Sequence, residues 1–297
     1  MTLPLFLELL VGGLVVGGLY ALMAFSFSLI LATTHVLNVA HGVFMVLGAA
    51  ASTLLVRHLG LGVVPAFGLV AAGFLLVGMI FEAVLLKPMA GRASGEVLVS
   101  SILVTFGLAL ALEAMLGFYW ARHVEPQPIF ALHPRISSFA LGDVVVSGPR
   151  ATVLGIVAVV VGVLHLLLTR TRIGKEARAV AQNLAGALVI GLNPRRVSRA
   201  VLTIGIAAAA LSGGLFVMAI PLNPFEGLRL TMIAFTVSAA GGVGNLPGAL
   251  AAGIALGLAE VFTGFWAGPI WSPMMSLLVL FAVLLLRPAA ILTGQGR

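Results

Sequence analysis

The chain has no cysteine and very little charge. Without cysteine there is no disulfide, no thiolate nucleophile and no Cys-ligated metal. Charged residues make up only 8% of its 297 residues, against about 25% in a soluble domain. That is too few to cover a globule in water. Other signatures are missing too. No Gly-x-x-x-x-Gly-Lys-Ser/Thr run occurs, and Gly241 to Gly244 lacks the lysine of a phosphate-binding loop. If ATP drives this protein, another chain hydrolyses it. His-Glu-x-x-His is also absent: His35 and His41 are six apart and neither precedes a Glu. No Ser-His arrangement stands out. An intramembrane hydrolase is set aside, and the expectation is a protein that is not an enzyme. His123, Glu125, His133 and Asp143 read as a solvated loop in preference to a metal site.

What is present is oil: 61% of residues are hydrophobic, in runs that recur from end to end. This predicts an all-α, polytopic transmembrane helical bundle, a single transmembrane domain over 1–297, embedded in a lipid bilayer. The apolar start at Leu5 lacks a basic leader and reads as a retained first helix. Candidate spans are 8–32, 41–56, 63–86, 96–120, 150–168, 197–220, 229–264 and 271–287, about eight at roughly 20 residues each. The second is short and is either tilted or begins partway into the bilayer. The seventh is cut by Gly241-Gly242-Val243-Gly244-Asn245-Leu246-Pro247-Gly248, because glycine and proline at that density end a helix. Two readings fit: half-helices around a buried loop, or two tilted spans joined by a tight turn.

The net charge of +7 bears on orientation and not on nucleic acid. One side receives Lys87, Arg92, Arg170, Arg172, Lys175, Arg178, Arg195, Arg196, Arg199, Arg287 and Arg297. The other receives Arg57, Arg122, Arg135, Arg150 and Arg229. The richer side is expected to be cytoplasmic. The 121–149 loop and the N-terminus then lie outside.

The stretch KEARAVAQNLAGALVIGLNP (175–194) is the exception to the oil. Ala177, Val180, Ala181, Leu184 and Leu188 recur at helical spacing, with Lys175, Arg178 and Gln182 on another face. This predicts one amphipathic helix, stopped at Gly191 and kept from resuming by Pro194. It either lies on anionic lipid or docks on a partner. Among buried polar groups, Asn38 and His41 sit at a helix junction and Asn38 can cap the next helix. His41 reads first as a structural donor. Ser100, Ser101 and Thr105 are expected to bond their own helix. Glu82, Glu113 and Glu260 are placed toward span ends as hydrated carboxylates. Gly12, Gly13, Gly17 and Gly18 read as packing positions.

Four stretches in register resemble the branched-chain amino acid permeases of ABC importers, and the H-type chain of the Liv system in particular. Arg178-Ala179-Val180-Ala181-Gln182-Asn183 followed by Gly191-Leu192-Asn193 is similar to that family's coupling loop. Asn38-Val39-Ala40-His41-Gly42 with Met45 and Leu47-Gly48-Ala49 resembles Asn-Phe-Ala-His-Gly…Met-Leu-Gly-Ala-Tyr, with Val39 and Ala50 as departures. The 241–249 run with Gly253, Gly257 and Glu260 resembles Gly-Gly-x-Gly-Ser-x-Pro-Gly-Ala…Gly-x-x-x-Gly-x-x-Glu, with Asn245 in the Ser place. Gly18-Leu19-Tyr20-Ala21-Leu22 also fits.

The resemblance implies an importer permease for leucine, isoleucine and valine, with relatives that carry urea or short amides. It implies a 170–196 cytoplasmic coupling loop in which Lys175, Glu176, Ala177, Arg178, Ala181, Gln182, Asn183, Gly191, Asn193 and Pro194 meet an ATPase. It implies a path lined by Asn38, His41, Gly42, Gly241, Gly242, Gly244, Asn245, Pro247 and Gly248. The implied partners are a second, M-type permease, two ATP-binding subunits that hold ATP and Mg, and a periplasmic solute-binding protein. No cofactor is expected on this chain. The implied location is the inner membrane. The rival class is a self-sufficient channel or secondary transporter, which has no need of the cationic helix.

Overall fold

The computed structural model describes residues 2–89, 94–123, 132, 139–141, 144–146 and 148–286. Apolar runs become helices because, in hydrocarbon, a helix satisfies every backbone group within its own segment. In chain order they are α1 (Leu3–Thr34), α2 (His41–Arg57), α3 (Val63–Phe81), α4 (Ser94–His123), α5 (Gly148–Arg170), α6 (Arg172–Gln182), α7 (Leu184–Val189), α8 (Pro194–Ala219), α9 (Gly227–Gly241), α10 (Leu246–Trp266) and α11 (Ser272–Leu286). Six of these are long and apolar enough to cross a membrane. Three apolar helices are shorter: His41–Arg57, Gly227–Gly241 and Ser272–Val283. This is a multi-pass membrane protein. The 229–264 run, one interrupted span in the sequence, is two helices. A small antiparallel hairpin, β1 (Phe139–Leu141) and β2 (Val144–Val146), interrupts the all-helical pattern between α4 and α5.

α1 and α8 are buried along most of their length, while α3, α4 and α5 show most of their surface. The bundle is therefore a core of α1, α2, α8, α9 and α10 with an apolar outer layer. Small residues let the core close. A Cβ on Gly257 would stand 2.2 Å from the Gly17 nitrogen, and one on Gly17 would stand 2.5 Å from Ile254 Cα. α1 and α10 thus meet backbone to backbone. Gly13 packs on Leu258 of α10, whereas Gly18 faces Val157 of α5 and Gly12 only approaches Val261.

The ends of the bundle can be told apart. Ser198 Oγ donates to the Thr33 carbonyl at 3.3 Å, and Arg199 Nε meets Glu82 Oε2 at 2.8 Å. The C-terminal ends of α1 and α3 therefore share one end with the start of α8. Glu82 opens a single π-helical turn, Glu82–Leu86, that extends α3. At the opposite end Leu132 donates its N–H to the Val217 carbonyl at 2.9 Å and is itself buried. This ties Leu132 to the far end of α8. Arg92, Arg135, Arg287, Arg297, Glu125, His133 and Asp143, and the side chain of His123, lie outside the described residues.

Candidate functional site

The sequence singles out two clusters, and the structure adds a third. The first is the polar segment between α5 and α8. Thr171 caps α6 by accepting the Gly174 N–H at 3.2 Å, and Gly174 sits so close to α5 that a Cβ would lie 2.4 Å from Leu168 Cα. α6 therefore turns directly beneath α5. The expected single helix over 175–190 is two helices. Asn183 is the reason: its backbone is extended (φ −154°, ψ 96°), so it ends α6 and caps α7 by accepting the Gly186 N–H at 2.8 Å. Asn193 repeats the device for α8, accepting from Arg196 at 3.3 Å, with Pro194 in the first turn. Gly191 has φ +80°, and Leu192 N–H returns to the Ala187 carbonyl at 3.0 Å, the wrap of a glycine C-cap. Asn183, Gly191, Asn193 and Pro194 thus shape the segment.

The expected apolar face splits in two. Ala177 and Val180 of α6, with Ala187 of α7, are buried against the bundle. Leu184, Leu188, Val189 and Ile190 point away from it, Val189 at 87% exposure. Lys175, Arg178, Gln182, Arg195 and Arg196 are exposed around them, while Glu176 and Ala181 are half-buried.

The second cluster is the break between α1 and α2. α1 ends at Thr34, and His35 (φ +54°) turns the chain back. α2 then begins beside the middle of α1, with His41 Nε2 at 3.1 Å from Ser26 Oγ and 3.3 Å from the Met23 carbonyl. The short second run therefore starts partway into the bundle. Non-helical backbone survives at such depth only under protein cover, and Val36, Asn38, Val39 and Ala40 are buried. Its polar groups find hydroxyls. Val39 N–H donates to Thr105 Oγ1 at 3.0 Å, and the Thr231 hydroxyl donates to the Val39 carbonyl at 2.9 Å. The same Thr231 oxygen accepts the Gly42 N–H at 2.8 Å. Asn38 Oδ1 accepts from Ala40 at 3.1 Å, while Asn38 Nδ2 and His41 Nδ1 are buried without a hydrogen-bond partner. Gly42 is a close-approach position, since a Cβ there would lie 2.0 Å from the Gly227 carbonyl oxygen. Thr105 does bond its own helix, at 2.6 Å to Ser101 O, and it also serves the break. Thr231 went unnoticed in the sequence, where a lone hydroxyl in an apolar helix gives no sign of a distant partner.

The 241–248 run is the other break. Of its two readings the tight turn is the one observed: Gly244 and Asn245 are exposed. Gly242 and Gly244 have φ of +89° and +79°, and Asn245 caps α10 by accepting the Gly248 N–H at 3.2 Å. Pro247 occupies the first turn of α10. Gly241 and Gly248 face each other, a Cβ on the latter landing 1.9 Å from the Gly241 oxygen. Ser28 Oγ accepts the Gly244 N–H and anchors the turn to α1.

The third cluster joins residues of two motifs. Glu260 is not a hydrated carboxylate at a span end. It is 6% exposed, and its Oε2 accepts the Tyr20 hydroxyl at 2.6 Å across the α1–α10 contact. Glu82 and Glu113 are likewise engaged. Glu82 pairs with Arg199, and Glu113 Oε1 accepts the Leu228 N–H at 3.2 Å, capping α9 from α4. Arg229 on the first turn of α9 pairs with Glu226. Among the described residues no group of three or more metal-ligating side chains gathers.

The chain matches the family model described as the branched-chain amino acid transport system / permease component over residues 9–287. It is 30% identical to the high-affinity branched-chain amino acid transport system permease protein BraD of Pseudomonas aeruginosa, covering 97% of this chain and 95% of that one. It is 27% identical, with the same coverage, to the permease protein LivH of that transport system in Escherichia coli K12. A probable LivH of Methanocaldococcus jannaschii is 25% identical over 95% of this chain and 91% of its own. No solved structure matches.

Proposed function

The chain belongs to the branched-chain amino acid transport permease family, and from that premise we propose that it is the membrane-spanning subunit of an ABC importer that brings leucine, isoleucine or valine into the cytoplasm. The carrying observation is the surface of α7. Leu184, Leu188, Val189 and Ile190 stand exposed beside a ring of cations, a pattern suited to a groove on a partner with steering by charge. A permease without a nucleotide site needs such a handle. ATP and Mg belong to two partner ATPase subunits, and a second permease and a solute-binding protein complete the assembly. The basic end then faces the cytoplasm of an inner membrane. The two breaks, with Asn38, His41 and Gly42 at one and Gly241, Gly242, Gly244, Asn245, Pro247 and Gly248 at the other, flank the route.

Leu188→Glu tests this. Leu188 is 56% exposed, so the change does not disturb the fold of this chain. In proteoliposomes holding the whole importer and loaded binding protein, leucine uptake is expected to fall by about tenfold or more, the effect of one buried charge at an interface. Membrane insertion should be unchanged. Normal uptake would refute the docking role. Replacement of Ala181 or Gly191 by a bulky charged residue should also uncouple transport. Gly191 is the less clean test, because φ +80° strains any other residue.

A further inference from the structure

Only four residues separate Val189, the end of α7, from Pro194, the start of α8. They are held by the left-handed Gly191 (φ +80°), by the Leu192 N–H on the Ala187 carbonyl at 3.0 Å, and by the Asn193 cap on the Arg196 N–H at 3.3 Å. A force on α7 therefore reaches the foot of α8 with little slack. Beside that foot stands α3. Its buried residues, Ala66, Phe67, Val70, Phe74, Gly78 and Phe81, form one stripe at helical spacing, while Leu69, Leu76 and Ile80 on its other faces are exposed. The stripe meets α8 in a constant antiparallel register. A Cβ on Gly214 would stand 2.9 Å from Phe67 Cε1, and one on Gly78 would stand 2.8 Å from Thr203 Cα. Glu82 Oε2 then accepts from Arg199 Nε at 2.8 Å. Eleven residues along α3 and eleven back along α8 separate the first contact from the second; four and four separate the second from the third. Glycine set against a neighbour's backbone leaves such a pair of helices no room to slide. The ion pair is the contact nearest α7 in sequence. Exposed pairs contribute little, but the Glu82 side chain is only 12% exposed, so removing Arg199 leaves a largely covered carboxylate without its partner.

We propose that α3 and α8 travel as one rigid body when α7 is pushed, and that Glu82 and Arg199 are the positioning pair that keeps the foot of α3 in step with the foot of α8. The inference rests on the docking role of α7 and adds the route by which force leaves it. The glycine contacts higher up hold the two helices together along their length. The ion pair holds them where the load enters, at the end that has no glycine contact of its own. Both residues act through α8, and neither is asked to touch the solute or the ATPase.

The test uses the complete importer in proteoliposomes with leucine-loaded binding protein, reading leucine taken up per ATP hydrolysed. That ratio does not change when less protein folds, so a purely structural role leaves it at the wild-type value. Glu82→Gln and Arg199→Gln should each lower it by about tenfold, the effect of one lost charge-assisted hydrogen bond. Glu82→Arg should lower it further, and Glu82→Arg combined with Arg199→Glu should recover most of it. In a chain without cysteine, Glu82→Cys with Arg199→Cys gives one defined pair for a short bifunctional thiosulfonate. Unbridged, this variant should show the same loss as the Gln variants; bridged, it should regain most of the wild-type ratio. Arrest of uptake on bridging would mean that α3 and α8 part during transport, and overturns the proposal. Wild-type ratios in both Gln variants overturn it too. Leu188→Glu, measured beside them, separates the two claims. If it imports normally, the docking role falls and this inference with it. If it fails while the Gln variants keep the wild-type ratio, only the α3–α8 coupling falls.

Discussion

The two breaks in the helical pattern differ in composition and are opposites in space. The run from 241 to 248 carries four glycines and a proline, and it is a turn, exposed at Gly244 and Asn245, in which the glycines, Asn245 and Pro247 have local causes. The stretch from 35 to 40 has neither glycine nor proline, yet it is the one that carries unwound backbone into the bundle, beneath Thr105 of α4 and Thr231 of α9. Glycine and proline report what the backbone must do locally. They do not report depth. Depth is supported by hydroxyls that arrive from other helices, and these leave no mark near the break.

That contrast sets the order of expected effects. Thr231→Val keeps the volume but leaves the Val39 carbonyl and the Gly42 N–H buried without their partner. At about 1–3 kcal/mol per orphaned group, the purified chain should lose about 3 kcal/mol or more, seen as a large drop in melting temperature in detergent. Thr231→Ser should recover most of it. A Thr231→Val chain as stable as wild type would show that the break does not depend on the hydroxyl. At the other break, Gly248→Ala puts a methyl against the Gly241 oxygen and should cost about 2 kcal/mol by prising α9 from α10, read from the same melt. Smallest of all, Asn245→Ser keeps an N-cap acceptor and should shift stability by less than about 0.5 kcal/mol, whereas Asn245→Ala should cost about 1 kcal/mol. If Ser and Ala behaved alike, Asn245 would owe its place to something other than capping α10.

Much of the fold was readable because it is dictated locally. Span positions follow from apolar runs, the stop at Gly191 from its left-handed backbone, and the starts at Asn193 and Asn245 from their caps. The α1–α10 contact was visible as Gly13 and Gly17 in one stretch and Gly253 and Gly257 in another, though not that they face each other. What stayed hidden depended on partners distant in sequence. Asn183 reads as an ordinary polar residue on a helix until its backbone is seen to break α6 from α7. Glu260 reads as a boundary carboxylate until Tyr20, 240 residues earlier, is found bonded to it. Glu82 and Glu113, half-buried, each gain a partner as well, Arg199 and the start of α9.

The polar segment differs from both breaks in facing two ways at once. Half of it, through Ala177, Val180 and Ala187, grips the membrane helices; the other half is offered outward. A lever has this division, with one face fixed to what it moves and one face free for what pushes it.

Because the chain has no cysteine, a single Val189→Cys residue carrying a photoreactive maleimide probes that free face alone. In the assembled importer, illumination should join this chain to an ATP-binding subunit, and leucine uptake should stop in proportion to the product formed. Labelling that reaches lipid only, in an assembly that still imports leucine, would contradict the account.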